Sequence, residues 1–223
     1  MKNEKKYFSK NNYKIILTDL INARVYLGSN KSLLNPSMKP LLVGIRNKIC
    51  IFNLVFTVSG LKKIVGLIIR IHYSNGTILF AGLPIFKRYG FIKLCTEKGH
   101  FYINEEVWVN GLLTNGKEIL KHKMKFLRNY KNHKKEDQLL FKEKFSGVLK
   151  MYRKPNLVII FNHVNNQEIV DEASKINIPI ILFGNSNVDF KNVTYLVPGN
   201  FHSRKANKIY YKLMKYVLNL RIF

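Results

Sequence analysis

Three short runs constrain this chain more than any other feature: Thr77–Ala81 (TILFA), Leu157–Phe161 (LVIIF) and Ile180–Phe183 (IILF). A strand with one wet face alternates apolar and polar residues, whereas a strand covered on both faces is apolar throughout. Segments of helical period separate the runs. Lys14–Leu27 reads as a helix stopped at Gly28. A second helix, capped by Thr57 or Ser59 and reaching about His72, places Leu61, Ile64, Val65, Ile68 and Ile69 on one face, and Asn75-Gly76 ends it. Gly82-Leu83-Pro84 turns into a helix over about Ile85–Lys98, and two more are expected over Gln167–Lys175 and Ser203–Asn219. Leu41–Ile45 and Ile49–Leu54 read as strands joined by a turn at Arg46-Asn47-Lys48, and Tyr195–Val197 as a short strand. Strand and helix in alternation predict an α/β fold: a mostly parallel, flavodoxin-like or Rossmann-like sheet flanked by helices.

One stretch breaks the alternation. From Gly116 to about Lys154 charge dominates, and two helical stretches flank the polar Lys131–Asp137 before Pro155 intervenes. This predicts a helical hairpin inserted into the sheet domain, with residues 1–115 as the first part of that domain and a basic N-terminal arm, 116–154 as the insertion, and 155–223 as the second part with a basic closing helix.

The chain carries 38 Lys+Arg against 13 Asp+Glu in 223 residues, a formal net charge of +25. At 47% hydrophobic and 13% aromatic it is too rich in core formers to be a disordered basic tail. Self-repulsion at this charge opposes folding unless a polyanion neutralises it, which points to nucleic acid or an anionic membrane surface. Lys, Asn, Ile, Phe and Tyr supply 106 residues, counted as 30, 25, 24, 15 and 12. All five have codons rich in A and T, so part of the Lys excess reflects the coding bias of an organelle, a parasite or a reduced endosymbiont. That bias does not explain the shortage of acids. No apolar leader is expected at the basic start, and no run reaches the ~18 uncharged apolar residues of a spanning helix.

The residues that carry chemistry are sparse. No glycine-rich phosphate loop follows any expected strand, and no nucleophile-elbow serine is present. Six histidines are scattered without an i, i+4 pair, and Cys50 and Cys95 lie in separate elements, so spacing builds no metal cluster. Only Asp189 follows the end of an expected strand, as a backbone-turning residue, and one acid does not make a site. The basic faces are different. Lys117, Lys121, Lys123, Lys125, Arg128 and Lys131 recur along one helix, and Lys205, Lys208, Lys212 and Lys215 along another. Phe126, Tyr130, Tyr152, Tyr210, Tyr211 and Tyr216 are interleaved, a pattern suited to phosphate contact.

Several segments together resemble the ribosomal protein S2 family of the small ribosomal subunit, of bacterial and organellar type. Leu34-Asn35-Pro36-Ser37-Met38-Lys39-Pro40, with Gly44, Arg46 and Asn47, is similar to its N-P-x-M-K-P…G-x-R-N signature. Gly76–Gly82 resembles G-x-I-L-F-V-G, and Trp108–Asn115 resembles W-x-G-G-x-L-T-N. Glu172-Ala173, Ile178-Pro179, Ser186–Asp189 and Val197–Asn200 follow in family order. The resemblance spans about residues 18 to 215. It implies a five-stranded, mostly parallel sheet with a helical insertion, and a non-enzymatic role bound to small-subunit ribosomal RNA and neighbouring ribosomal proteins, with no cofactor, small-molecule substrate or membrane.

Both histidines of the family's first motif are replaced, by Tyr26 and Ser29, and the insertion is shorter than the bacterial one. Aspartates of the pattern become Asn53, Asn156, Asn162 and Asn185. Asn keeps the turn and capping hydrogen bonds of Asp, whereas a catalytic carboxylate does not survive that exchange. The acid deficit therefore favours a scaffold over an enzyme. RNA contacts are expected from Asn35, Lys39, Arg46, Asn47, Lys117, Lys121, Lys125, Arg128, Arg204, Lys205, Lys208 and Lys212, in a mitochondrial ribosome. The competing expectations are an RNA-modifying, methyltransferase-like enzyme on the same fold and a peripheral membrane protein.

Overall fold

The computed structural model describes residues 10–83, 88–104, 108–161, 167–201 and 203–219. Most of the N-terminal arm, the turn after Leu83, Asn162 and His202 lie outside the described residues. Seven α-helices and eight strands are present among the described residues. In chain order these are α1 (Lys10–Asn22), β1 (Leu27–Asn30), β2 (Leu42–Arg46), β3 (Ile49–Phe52), α2 (Leu54–Tyr73), β4 (Ile78–Leu83), α3 (Arg88–Glu97) and β5 (Phe101–Asn104). They continue with α4 (Gly116–Arg128), α5 (Lys135–Phe145), β6 (Leu157–Phe161), α6 (Gln167–Lys175), β7 (Ile180–Gly184), β8 (Tyr195–Pro198) and α7 (Arg204–Leu218).

β4 to β8 form a five-stranded parallel sheet in the order β5-β4-β6-β7-β8. Counted within the sheet this is 2-1-3-4-5, the flavodoxin-like order of a doubly wound α/β fold. Its central strands β4, β6 and β7 are apolar throughout because both faces are covered. Ile78, Phe80, Leu157, Ile159, Phe161, Ile181 and Phe183 point into one core, which α1, α2, α3 and α7 close with Leu20, Leu61, Ile64, Phe91 and Leu213. Leu79, Ala81, Val158, Ile160, Ile180 and Leu182 point into the other, closed by Ile169, Val170 and Ala173 of α6 and by Leu112, Leu113, Val148 and Met151. The buried roof of the second core thus comes from one helix and two irregular segments, with Ile119 of α4 and Phe145 of α5 packed at its margin.

Several boundaries differ from those expected, each for a local reason. α1 ends at Asn22, before Leu27, because Arg24 adopts φ 56. The Val25 amide then donates to Leu20 O and the Arg24 amide to Ile21 O, a Schellman closure built on arginine in place of glycine. α2 starts earlier than expected, since Asn53 Oδ1 accepts from Val55 N at 3.0 Å. Thr57 plays a different part. Its hydroxyl donates to Pro198 O at 2.7 Å and ties α2 to β8. β5 had no counterpart in the expected elements, being a four-residue edge strand without a continuous apolar run.

β1, β3 and β2 form a separate three-stranded antiparallel sheet. Asn47 and Lys48, at φ 49 and 62, turn β2 into β3 as a type I′ hairpin. Ser29 N donates to Ser186 Oγ at 2.8 Å, Asn35 N to Ser186 O at 2.9 Å and Asn200 N to Val25 O at 2.9 Å. The small sheet and its flanks are thereby latched over the C-terminal ends of β7 and β8. In open α/β sheets ligands bind along that edge; here the chain itself fills part of it.

β5 has β4 on one side only, and on the other the Tyr102 amide donates to Gly147 O at 3.2 Å. A methyl group at Gly147 would strike the Tyr102 carbonyl oxygen and ring. Gly147→Ala is therefore expected to cost about 2 kcal/mol by overpacking, read as a lowered urea midpoint at unchanged m-value. A midpoint equal to that of the unaltered protein would show that the segment after α5 does not pack this closely on the strand.

Candidate nucleic-acid interface

One cationic surface is on α7. Ala206, Tyr210, Leu213, Met214, Val217 and Leu218 are buried against the sheet. The complementary positions Arg204, Lys205, Lys208, Lys212 and Lys215 are exposed. Core packing fixes which face of the helix turns inward, so the lysines must line the outward face at spacings of three and four.

α4 carries a second basic face with Lys117, Lys121, Lys125 and Arg128, all exposed. Their positions, i, i+4, i+8 and i+11, keep them on one side of the helix. Lys121 is engaged with Glu118 at 2.7 Å, and that contact holds the exposed Glu118 carboxyl below its ordinary range. Lys123 does not belong to the phosphate-facing run in which the sequence places it. It is 2% exposed, its Nζ donates to Val148 O at 3.0 Å, and burial lowers its pKa. The ammonium also lies 5.9 Å from the Phe145 ring centroid, so it serves as an internal tie between α4 and the chain after α5. Farther along, the Phe126 ring stacks on His133 at 4.0 Å and on Phe141 at 4.2 Å, clamping the two helices together.

The third group, near the small sheet, divides. Lys39, Arg46 and Asn47 are exposed, with Asn47 at the hairpin tip. Asn35 serves the fold: its Oδ1 accepts from Ser37 N at 3.0 Å and from Ser37 Oγ at 2.7 Å, capping the 3-10 turn Pro36–Leu41. The expected residues therefore fall into three separate groups, on α7, on α4 and around the small sheet. Among the described residues, no carboxylate comes within 4.0 Å of Lys39, Arg46, Lys117, Lys125, Arg128, Arg204, Lys205, Lys208 or Lys212.

The described asparagines at aspartate positions act as acceptors for backbone amides. Besides Asn53, Asn156 Oδ1 accepts from Thr77 N at 2.8 Å, and Asn185 Oδ1 from Ser186 N at 2.8 Å. Each bond needs only a side-chain acceptor, which an amide provides without charge. Asp189 likewise turns the backbone, accepting from Lys191 N at 3.2 Å.

Glu172, on α6, was not among the expected functional residues, and it organises the loop that roofs the second core. Its carboxylate is 8% exposed and accepts from Trp108 Nε1 at 3.0 Å, Gly111 N at 2.6 Å and Leu113 N at 3.0 Å. Thr114 adds longer contacts from its N and Oγ1 at 3.4 and 3.5 Å. A single carboxylate thus collects the inward donors of Trp108–Thr114, and no sequence-local signal connects it to them.

Against known proteins, the family model described as ribosomal protein S2 matches residues 20–219. The small ribosomal subunit protein uS2 of Ehrlichia ruminantium (strain Gardel) is 29% identical over 215 residues, covering 90% of this chain and 75% of that protein. The uS2 of Rhodospirillum rubrum is 29% identical over 214 residues, covering 89% and 81%. That of Blochmanniella floridana is 27% identical over 221 residues, covering 92% and 95%.

Proposed function

The chain belongs to the ribosomal protein S2 family and is a structural, non-enzymatic constituent of the small ribosomal subunit, and on that premise we propose that its three basic faces hold it on the phosphates of small-subunit ribosomal RNA. The observation that carries this reading is the row of acid-free lysines on the outward face of α7, opposite a helix face packed into the core. Phosphate contacts position a protein without reading base sequence, so the faces need charge and spacing more than geometry. Neighbouring ribosomal proteins would cover exposed apolar residues such as Val43 and Ile45 of β2. Among the described residues no helix is long and apolar enough to cross a membrane. The ribosome in question is, on this proposal, mitochondrial: the A- and T-rich coding inferred from composition suits an organellar genome, and the relatives above are bacterial.

The protein is expected to co-sediment with the small subunit in gradients of mitochondrial lysate and to leave it at high salt. The triple replacement Lys205→Gln, Lys208→Gln, Lys212→Gln is expected to flatten the log–log salt dependence of RNA binding by about three units, one for each phosphate no longer neutralised. Full recovery of the protein in the ribosome-free fraction at low salt would refute the assignment of these faces.

A further inference from the structure

Leu112–Lys117 and Met151–Lys154 line a common cavity of about 440 Å³. Its size is in the range of small-molecule sites. Leu112, Leu113 and Met151 are buried and give it an apolar floor. Lys117, Arg153 and Lys154 line it as well, together with Tyr152, a residue that is 66% exposed. No acid is among the lining residues, and among the described residues none of these three cations has a carboxylate within 4.0 Å. Asn115 makes no capping bond with its side chain, so its amide remains available to a ligand. The walls are anchored: Glu172 holds one through Leu113 N, and Lys123 holds the other through Val148 O.

An apolar floor, an unshielded aromatic ring and several unpaired cations fit a flat heterocycle joined to an anion. We propose that this cavity takes one unstacked nucleotide of single-stranded RNA, the base lying against Tyr152 and the phosphate held by Arg153 and Lys154. A duplex buries both base faces in its own stack and cannot enter, whereas an unpaired base offers its π-face at no such cost. The inference rests on the RNA-binding reading above and adds to it a site for unpaired RNA, which shares Lys117 with the basic face of α4 and otherwise stands apart from the helical faces that track phosphates.

The full chain is titrated with a fluorescein-labelled single-stranded oligoribonucleotide and with a blunt RNA duplex, followed by anisotropy. Tyr152→Ala is expected to weaken single-strand binding about ten-fold, the effect of losing one base stack, with duplex binding and the single-strand salt slope unchanged. Tyr152→Phe should bind as the unaltered protein does. The pair Arg153→Gln, Lys154→Gln should weaken the single strand more than the duplex, and should lower its salt slope by about 0.7 for each phosphate no longer neutralised. Single-strand binding that is indifferent to Tyr152→Ala, while Lys205→Gln with Lys208→Gln weakens both RNAs, overturns the cavity assignment and spares the general reading. Binding of neither RNA by the unaltered protein at low salt overturns both. Competition by AMP at the concentration that suffices for the oligonucleotide would assign the cavity to free nucleotides and overturn its role in RNA.

Discussion

Replacing Glu172 by alanine is expected to destabilise the protein by about 4 kcal/mol. The change leaves Trp108 Nε1, Gly111 N and Leu113 N without their acceptor at the edge of the second core. Each donor stranded away from full solvent carries a desolvation cost, largest for the buried Leu113 N, and together they release the Trp108–Thr114 loop from α6. Glu172→Gln keeps one acceptor oxygen but turns an amide donor toward donors, so it is expected to recover only part of the loss. Trp108 is the sole tryptophan of the chain, which makes its fluorescence a local reporter of the loop alongside circular dichroism of the whole. Guanidinium unfolding should show a lowered midpoint by both probes, with the Trp108 signal already solvent-like in the Glu172→Ala baseline. A variant within about 1 kcal/mol of the unaltered protein would mean that the loop is held by its leucines and not by the carboxylate.

Connectivity carries this effect toward function. Leu112 and Leu113 roof the second core, and the chain runs on through Asn115 into α4, whose exposed side holds Lys117, Lys121, Lys125 and Arg128. Losing the Glu172 anchor therefore loosens both the cavity wall and the root of a basic helix, although Glu172 itself touches no RNA on the proposed reading. The effect on RNA binding should track the loss of fold.

Legibility in the sequence followed burial. Leu157–Phe161 and Gln167–Lys175 emerge with the expected boundaries because burial on both strand faces, or on one helix face, writes itself into the residue pattern. The small antiparallel sheet was half hidden: Leu27 lay inside an expected helix, since an arginine in left-handed conformation leaves no glycine to mark the end of α1. The cap of α2 was misplaced by four or six residues because Asn53, Thr57 and Ser59 are all competent caps, and only contact with β8 shows that Thr57 is otherwise engaged. Among the basic faces, α7 was readable because its apolar and cationic residues fall cleanly on opposite sides of the helix. In α4 the run read as phosphate-contacting took in Lys123, whose ammonium in fact donates to the Val148 carbonyl. Glu172 was unreadable as an organiser because its partners lie about 60 residues earlier, a separation that no periodicity spans.

Stability is expected to fall on acidification, beginning near pH 6.5, because of His100. Its ring is 3% exposed, neither nitrogen has a hydrogen-bond partner, and its neighbours are the Phe80 and His72 rings, each at 6.2 Å. Burial first, then the positive charge of His72 and Lys98, bring its pKa down to about 4. His72 is lowered too, by burial and by Lys98, and adds in the same direction. The unfolded chain takes up a proton near pH 6.5 that the folded chain refuses, so the contribution is whole above that value and is lost as pH falls toward the folded pKa. Between pH 8 and pH 5 the expected loss is about 2 kcal/mol, before carboxylates titrate appreciably. His100→Leu removes two unsatisfied buried nitrogens together with the titration. It should therefore be at least as stable at pH 8 and clearly more stable than the unaltered protein at pH 5. Urea midpoints measured for both proteins at the two pH values decide the matter, and equal pH dependence in the two would place the acid sensitivity elsewhere in the fold.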